Sequence, residues 1–300
     1  MKTTILSLQQ CDALSAVQLK AEPANTFDFI SSTAAISKNF IQVTELSAGG
    51  SVNEICVINN SIYFVFLMDG DILSGAKQNR VINTSILLGP QSKTIIPVSC
   101  VESGRWNSQS EKFDTTDYIA PIELRKSKAE QVSYSLKTYA KYASDQGSIW
   151  NTVSKVSEKM NVSSDTSNLS DVYEKKSNSY EKFLNAFKAN NEANGVAFFI
   201  NKKLVNIEIF NRSDIFSEYF PKMLKGISMD AFGLKSPGEL EKAEAEFKTL
   251  DLLDQLETMQ MDTHKGVGLG NEKRFVTNDV SGFQLDYNSN LIHFTAMRNN

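Results

Sequence analysis

The sequence has few of the residues that build transition-metal sites and disulfide frameworks. It contains two histidines, His264 and His293, and three cysteines, Cys11, Cys56 and Cys100. An odd number of widely spaced cysteines fits neither a disulfide framework nor a zinc motif. Two histidines disfavour a histidine-rich metal centre. We therefore expect no metal site, no cofactor and a reducing, cytoplasmic environment.

Long hydrophobic runs and a surplus of positive charge are also missing. No segment approaches the ~20 apolar residues of a membrane span, and Met1–Gln10 turns polar before it reaches the apolar core of a signal peptide. The 31 Lys and Arg residues face 35 Asp and Glu, a net charge of −4. Bulk electrostatics therefore attract neither nucleic acid nor an anionic membrane. We expect a small anionic ligand as partner rather than nucleic acid or a membrane, and the sequence leaves a homo-oligomer open.

The first third of the chain predicts β-structure. Phe40–Leu46 and Ile55–Asn60 are short runs rich in β-branched residues between turn signals. Asp69-Gly70-Asp71 separates two apolar runs and predicts a hairpin over Phe64–Ala76. Thr94–Val101 predicts a further strand, and Pro97 within it indicates an edge or a bulge.

The hydrophobic period changes from Leu124 onward. Apolar residues at helical spacing predict helices over 132–143, 149–160 and 169–187, with Asp145 or Ser148 as an N-cap. Residues 195–210 repeat the pattern of Phe64–Ala76, as an internally duplicated β-hairpin unit would. Ser213 is predicted to cap a helix, and Ser236–Glu239 reads as a capping box that opens a long one.

These patterns predict an α+β fold, a mainly antiparallel β-sheet or sandwich with inserted helices. Residues 27–123 are β-rich, 124–190 helical, 195–262 a hairpin followed by helices, and 273–298 strands. The last strand is too apolar to stand alone and is expected to join an earlier sheet. Residues 1–300 are therefore predicted to form one interlocked domain.

The most informative polar run lies at residues 77–83. Its long side chains carry several hydrogen-bond donors each, which turn chemistry does not require. They are Lys77, Gln78, Asn79, Arg80 and Asn83. We interpret them as ligands for phosphate, carboxylate or ribose hydroxyls. The alternative is a polar loop whose side chains pair within the protein.

A second polar run follows the predicted strand at Thr94–Val101. Glu102 is a candidate general base, Arg105 a candidate anion ligand, and Trp106 a candidate stacking platform. Alternatively, Trp106 is core and the other two form a structural ion pair. Asp69 is a candidate acid or base, although a turn-forming role explains it as well.

Two further features are weaker candidates. Cys100 would need a base to act as a nucleophile, and its position in an alternating apolar run favours a small core residue. Gly266–Gly270 follows a predicted helix, so neither a Rossmann nor a P-loop context is met, and we expect a flexible loop or lid.

The two polar runs resemble a known family. Gly75–Arg80 with Asn83-Thr84-Ser85, and Ile96–Trp106, are similar to motifs of the ADP-ribosylglycohydrolase- and rhodanese-phosphatase-associated protein domain family. Ser144-Asp145-Gln146 and Trp150 resemble a third motif, while Ser103 departs from the amide usual there. The resemblance spans about Ala48 to the C-terminal strands and implies a role near NAD-derived or ADP-ribosylated compounds.

Three hypotheses follow. The first is a protein that binds or processes an ADP-ribose-like or other NAD-derived nucleotide at a Lys/Asn/Arg/Trp-lined cleft, with Glu102 or Asp69 as acid/base if a reaction occurs. The second is a non-catalytic interaction or ligand-sequestering module in which the polar motifs are structural. The third is a hydrolase that uses Cys100.

Overall fold

A computed structural model describes residues 2–22 and 27–298. These residues form seven helices and seventeen strands, numbered here in chain order. The strands are β1 (Thr3–Cys11), β2 (Leu14–Ala21), β3 (Phe29–Ser31), β4 (Ile41–Glu45), β5 (Glu54–Asn59), β6 (Phe64–Leu67), β7 (Asp71–Gly75), β8 (Arg80–Ile82), β9 (Ile86–Leu88), β10 (Ser92–Cys100), β11 (Phe113–Ile119), β12 (Gly195–Ile200), β13 (Lys203–Phe210), β14 (Asp262–Lys265), β15 (Asn271–Val276), β16 (Val280–Tyr287) and β17 (Asn290–Arg298). The helices are α1 (Ser32–Ser37), α2 (Ile122–Tyr139), α3 (Gln146–Lys159), α4 (Leu169–Lys175), α5 (Ser177–Ala186), α6 (Ser213–Ala231) and α7 (Lys242–Glu257).

The described residues divide into two compact units. Unit 1 contains the chain up to Phe27, then Asn178–His264, then the chain from Asn271 onward; unit 2 contains Asp28–Ser177 and Lys265–Gly270. Both units combine antiparallel strands with helices, so the predicted α+β class is confirmed. The interlocking of the chain in one domain stays a prediction.

Unit 1 is built on an eight-stranded sheet in the order β1-β2-β12-β13-β17-β16-β15-β14. Helix α7 covers one face, where Leu252 and Leu256 pack against Ile207, Ile209 and other buried apolar side chains. Strand β17 pairs antiparallel with β13 and β16. The expectation that the apolar C-terminal strand joins an earlier sheet is therefore confirmed.

The hairpin predicted over residues 195–210 is confirmed. Strands β12 and β13 pair antiparallel, and Ile200 faces Lys203 across a two-residue loop. Asn201 and Lys202 have φ values of 50° and 62°. Positive φ at both loop residues is the requirement of the type I′ turn that matches strand twist.

The capping box predicted at Ser236–Glu239 is wrong. Helix α7 begins at Lys242, with Glu241 as its N-cap residue. Gly238 has a φ of +91°, which no residue of a right-handed helix adopts. Ser236 Oγ instead accepts the Gly238 N–H, so the motif forms a local turn ahead of the helix. At the other predicted cap, Ser213 is the first residue of α6 and Arg212 is its N-cap residue.

Unit 2 contains a six-stranded sheet, in the order β11-β7-β8-β10-β5-β4, and a three-stranded sheet, in the order β3-β6-β9. Both contribute to one apolar core that includes Val65, Leu67, Leu73, Ile82 and Ile96. The strands predicted around β4 and β5 are confirmed, and they pair antiparallel with each other. Pro97 is the last β10 residue paired with β5, and the pairing with β8 begins at Val98.

The hairpin predicted over Phe64–Ala76 is wrong, although its turn exists. Asp71 N–H donates to Met68 O (3.1 Å), and Gly70 has a φ of +84°. The strands on either side, β6 and β7, nevertheless lie in different sheets. The chain thus crosses from one sheet to the other at Asp69-Gly70. Residues 64–76 resemble residues 195–210 in sequence pattern, but their two strands do not pair with each other.

The helical region follows the predicted periodicity with one break. Asp145 is the N-cap of α3, and its Oδ1 accepts the Ser148 N–H at 2.6 Å. The helix predicted over 169–187 is two helices, α4 and α5, because Lys176 leaves the helical conformation at a φ of −111°.

The Gly266–Gly270 loop packs onto unit 2, which corrects the expectation of a lid. Leu269 N–H donates to Leu87 O at 2.8 Å, and Val267 packs against the apolar core. A Cβ atom at Gly268 would lie 2.3 Å from Leu87 O. Glycine at this position therefore permits close backbone approach rather than mobility.

Substituting Gly268→Ala is expected to lower the free energy of unfolding by about 1–3 kcal/mol, because the backbone must shift to relieve the overlap. Urea denaturation measures the loss. Gly49→Ala is the control, because its Cβ would meet only Ser47 Oγ, at 3.6 Å. A variant at Gly268 as stable as the control contradicts the close-approach explanation.

Candidate functional site

Asp69 lies at the sheet-to-sheet crossover, where it is wholly buried. Its Oδ2 accepts a hydrogen bond from Arg125 Nε at 2.9 Å, and its Oδ1 accepts one from Lys128 Nζ. Both cationic side chains are also fully buried. Lys128 further donates to Ile82 O. These contacts join α2 to the crossover and give Asp69 a bracing role, while its use as an acid or base stays a prediction.

The side chain of Asn79 joins the first polar run to the second run and to α4 by hydrogen bonds. Its Oδ1 accepts from Gly75 N–H (3.0 Å) and from Arg105 Nη2 (3.3 Å). Its Nδ2 donates to Asn168 Oδ1 (3.1 Å) and to Ser170 Oγ (2.9 Å). Every polar atom of the amide is therefore engaged, so the orientation of the side chain is fixed before any ligand arrives.

Glu102 and Arg105 form a buried two-pronged ion pair. Arg105 Nε donates to Glu102 Oε1 at 2.8 Å, and Nη2 donates to Oε2 at 2.6 Å. Thr166 Oγ1 and the Asn79 N–H donate to the same carboxylate. Arg105 Nη1 adds bonds to Ala76 O and Asn107 O. The structural ion pair, which the sequence left as an alternative, is the arrangement observed.

The Glu102 carboxylate is ionised in this setting. Burial by itself raises its pKa, but the hydrogen bonds from Arg105, Asn79 and Thr166, together with the Arg105 charge, hold the pKa below its ordinary value. A general acid needs a proton near neutral pH, and a general base needs a free lone pair facing the substrate. The network favours a structural role, and the catalytic role stays a prediction.

Arg80 is fully buried beneath the loop between β4 and β5. Its Nη1 donates to Gln78 Oε1 at 2.9 Å and to Cys100 Sγ, and its Nη2 donates to Ser51 O at 3.1 Å. Glu45 lies 3.7 Å from Nη2. Within the described residues, Arg80 Nε has no hydrogen-bond partner. The guanidinium group is thus mostly committed to the protein itself.

Lys77 and Trp106 lie at the surface beside this buried cation. Trp106 is 42% exposed, and both Lys77 Nζ and Arg80 Cζ lie 5.6 Å from its ring centroid. Such cation–π contacts contribute about 0.5–1 kcal/mol each at exposed sites. The indole is therefore not a core residue, and one surface patch combines an aromatic ring with a partly exposed ammonium group.

Asn83 joins a different network. Its Oδ1 accepts from Ser99 Oγ at 2.7 Å, and its Nδ2 donates to Tyr142 O. Ser99 Oγ also lies 2.5 Å from Ser144 Oγ. Ser144 of the Ser-Asp-Gln segment thereby contacts the same β10 serine that donates to Asn83.

A polar cleft of about 830 Å³ opens in unit 2 beside Asn79. Amide and hydroxyl side chains dominate its wall, with Lys112, Asp114, Asp171 and Glu174 as the charged groups. The polar lining residues are Ser37, Asn39, Gln42, Ser74, Asn79, Gln109, Ser110, Asn168 and Ser170. Of the predicted site residues, Asn79 lines this cleft; Lys77, Gln78, Arg80, Asn83, Glu102, Arg105, Trp106 and Asp69 do not.

The predicted site residues therefore fall into separate groups. Asn79, Glu102 and Arg105 form one network, and Lys77, Gln78, Arg80 and Trp106 form a second. Asp69 and Asn83 belong to others. No group of three or more metal-ligating side chains with the geometry of a metal site occurs among residues 2–22 and 27–298. In the same residues, no helix has the length and apolar character needed to cross a bilayer.

Comparison with protein families gives a match over nearly the whole chain. Residues 2–297 match the model of the ARG and Rhodanese-Phosphatase-superfamily-associated Protein domain, ARPP-1. The chain belongs to this family. The match extends well before Ala48, where the resemblance was expected to begin. No curated protein and no solved structure shows a significant match. The ARPP-1 description names an association with ARG and with the rhodanese-phosphatase superfamily, which is consistent with the ADP-ribosylglycohydrolase context expected from the motifs.

Several structural partners of the ARPP-1 motifs were not identified from the sequence. Glu45, Arg125, Lys128, Thr166 and Asn168 complete the networks of the predicted residues. Gln146 was noticed only as part of a family motif. Its amide accepts the Cys100 N–H and donates to Cys100 O, both at 2.8 Å, as a neighbouring strand would. Its position directly after an N-cap aspartate is a local signal that could have identified it.

Cys100 of this ARPP-1 chain is placed as a core residue rather than a nucleophile. Its side chain is fully buried, and burial raises the pKa of the thiol to about 11 despite the opposing charge of Arg80. The thiolate is the reactive species. In the folded protein we expect iodoacetamide to modify Cys100 no faster than the buried Cys56, as measured by peptide mass spectrometry. Rapid modification of Cys100 alone supports the hydrolase hypothesis instead.

Proposed function

We propose that this ARPP-1 domain binds and sequesters a ribose-containing ligand, of the ADP-ribose or NAD-derived class, in the polar cleft beside Asn79. The observation that carries the proposal is the cleft itself, with about 830 Å³ of space and a wall of amides and hydroxyls. This volume lies within the range of small-molecule sites. Side chains that both donate and accept hydrogen bonds suit a ligand with several hydroxyl groups.

The wall of the cleft is organised in advance. Asn79, Asn168 and Ser170 are linked to one another by hydrogen bonds. The Glu102–Arg105 pair holds Asn79 from the opposite side through the Asn79 N–H and Oδ1. A wall that is already ordered loses little side-chain entropy when a ligand binds. In this proposal the family motifs stabilise the site, and catalysis by Glu102 or Asp69 is not required.

The charges of the cleft favour sugar recognition over phosphate recognition. Among the described residues that line the cleft, Lys112 is the cation, against the carboxylates of Asp114, Asp171 and Glu174. A diphosphate placed among these groups meets more negative than positive charge. We therefore place the ribose hydroxyls in the cleft and the phosphates toward solvent. Affinity should then depend little on the number of phosphates.

Calorimetric titration with ADP-ribose, NAD and the cyclic ADP-ribose isomers tests the proposal. Gln42 lines the cleft from β4, and its side chain makes no hydrogen bond within the described residues. Gln42→Ala should weaken binding about fivefold, the loss of one hydrogen bond worth about 1 kcal/mol. Thr44→Ala, on the same face of the same strand but outside the cleft, should bind normally. Folded wild-type protein that is silent toward every nucleotide overturns the proposal.

The second candidate is an interaction module with no small ligand, whose partners dock on the helical region. The internal pairing of Arg80 and Arg105 favours it, because protein atoms take up most of the donors of both guanidinium groups. Substituting Lys77 and Arg80 by alanine tests whether these two cations brace the fold. A loss of stability with no change in nucleotide binding supports bracing, which both candidates share. Nucleotide binding by the wild type then decides between them.

A further inference from the structure

A second cavity in unit 2, of about 800 Å³, combines aromatic rings with carboxylates. It lies at the C-terminal end of α2 and the segment that follows. Tyr134 and Tyr139 both line it, and they are 66% and 64% exposed. Glu130, Lys141 and Asp145 are its charged lining residues. None of these belongs to the polar cleft.

Three features of this cavity favour positive charge in a bound group. The face of a tyrosine ring is electron-rich and attracts cations within about 6 Å of its centroid. Glu130 makes no ion pair or hydrogen bond through its side chain within the described residues. Tyr139 is the last residue of α2, and the C-terminal end of a helix carries partial negative charge. Asp145 is already engaged as the N-cap of α3, so Glu130 is the principal free carboxylate.

The wall behind the two tyrosines is rigid. Gln131 Oε1 accepts the Asp145 N–H at 2.8 Å, and its Nε2 donates to Ser127 Oγ and Ser148 Oγ. Ser144, which also lines the cavity, is anchored to Ser99. The segment from Lys141 to Asp145 is thereby tied to α2, α3 and β10. The cavity thus combines a wall held by hydrogen bonds with two exposed aromatic side chains.

We propose that this cavity binds a compact organic cation whose charge is delocalised or fully substituted, such as a pyridinium or quaternary ammonium ion. An anion would meet Glu130, Asp145 and the tyrosine faces, and Lys141 is the cation among the described lining residues. For a small, strongly hydrated ammonium ion, the free-energy cost of dehydration would exceed the stabilisation by the aromatic faces. The proposal stands apart from ribose binding in the polar cleft, since it uses other residues and a different interaction.

Matched pairs of probes test the charge requirement. The N-methylnicotinamide cation is compared with neutral nicotinamide, and choline with its uncharged carbon isostere dimethylbutanol, each titrated into the full chain by calorimetry. Each cation should bind at least about fivefold more tightly than its neutral partner. Equal affinities within both pairs, or no binding of either cation, overturn the proposal.

Substitutions then locate the site. Tyr134→Ala and Tyr139→Ala should each weaken cation binding several-fold, whereas Tyr134→Phe, which keeps the ring, should bind normally. Glu130→Gln should lower the affinity for the cations and leave the affinity for the neutral probes unchanged. Phe247→Ala removes an equally exposed helical aromatic residue from unit 1 and should have no effect. Since all three aromatic side chains are largely exposed, each variant should keep the wild-type urea midpoint. Wild-type cation affinity in both tyrosine-to-alanine variants places the binding elsewhere and overturns the assignment.

Discussion

Asp69→Asn is expected to destabilise the protein by about 3–5 kcal/mol, the cost of removing one partner from a buried ion pair. The substitution keeps the size of the side chain but removes the negative charge that faces Arg125 and Lys128. All three side chains are fully buried, so water does not screen the two cations. The amide also presents a donor to one of them. Urea denaturation followed by circular dichroism measures the effect.

A control with the same change of charge distinguishes this cost from a general effect of losing a carboxylate. Glu111→Gln removes one negative charge from an exposed loop of the same unit and should leave the urea midpoint within experimental error. If Asp69→Asn is too unstable to purify, the soluble yields of the two variants are compared, and Asp69→Asn should give the lower yield. Equal stability of the two variants would falsify the bracing role of Asp69.

Local signals predicted those elements whose geometry depends on neighbouring residues. The hairpin over residues 195–210 was predicted from two apolar runs around a short polar turn, and the start of α3 from the Asp145 cap. The alternation of β4 and β5 marks a half-buried pair of strands. In each case the residues that decide the structure lie within a few positions of one another.

Long-range pairing was less accessible to sequence reasoning. The Asp69-Gly70 turn was identified, but a turn does not specify whether the strand after it pairs with the strand before it. Here the buried carboxylate of Asp69 has its partners on α2, more than fifty residues away. The hairpin of β1 and β2 was missed, because β2 contains Ser15, Ala16 and Ala21 and a single β-branched residue, Val17, of the kind that signals a strand.

The same limit applies to the candidate site. A run of lysine, asparagine and arginine indicates an unusual concentration of hydrogen-bond donors. It does not indicate whether their acceptors belong to a ligand or to the protein. Arg80 meets Ser51 O and Gln78, and Arg105 meets Glu102. Internal pairing was an alternative for both polar runs, but the sequence named specific partners only for Glu102 and Arg105. The polar cleft draws its wall from α1, β4, β7 and α4, which no local pattern connects.

Glu102→Gln should lower the free energy of unfolding at neutral pH by about 3 kcal/mol, since it leaves the buried Arg105 without its countercharge. The size of the loss should depend on pH. The folded pKa of Glu102 lies below the ordinary value of 4.5, so the unfolded chain takes up its proton first as the pH falls. The stability contributed by the ionised carboxylate is complete above the unfolded pKa. It is lost as the pH falls through the folded pKa.

The difference in the free energy of unfolding between wild type and Glu102→Gln should therefore become smaller on acidification. Urea midpoints of both proteins at neutral pH and near pH ~4 measure this difference. Asp214, whose pKa is also lowered, titrates in both proteins and cancels in the difference. Glu244→Gln is the matched control, because the Glu244 carboxylate pairs with Lys248 at the exposed surface of α7. This variant should differ much less from wild type in its free energy of unfolding. A difference between wild type and Glu102→Gln that stays constant from neutral to acid pH means that Glu102 is not held ionised by Arg105. In that case the carboxylate is free to act as the acid or base of a reaction, and the sequestering role loses its structural support.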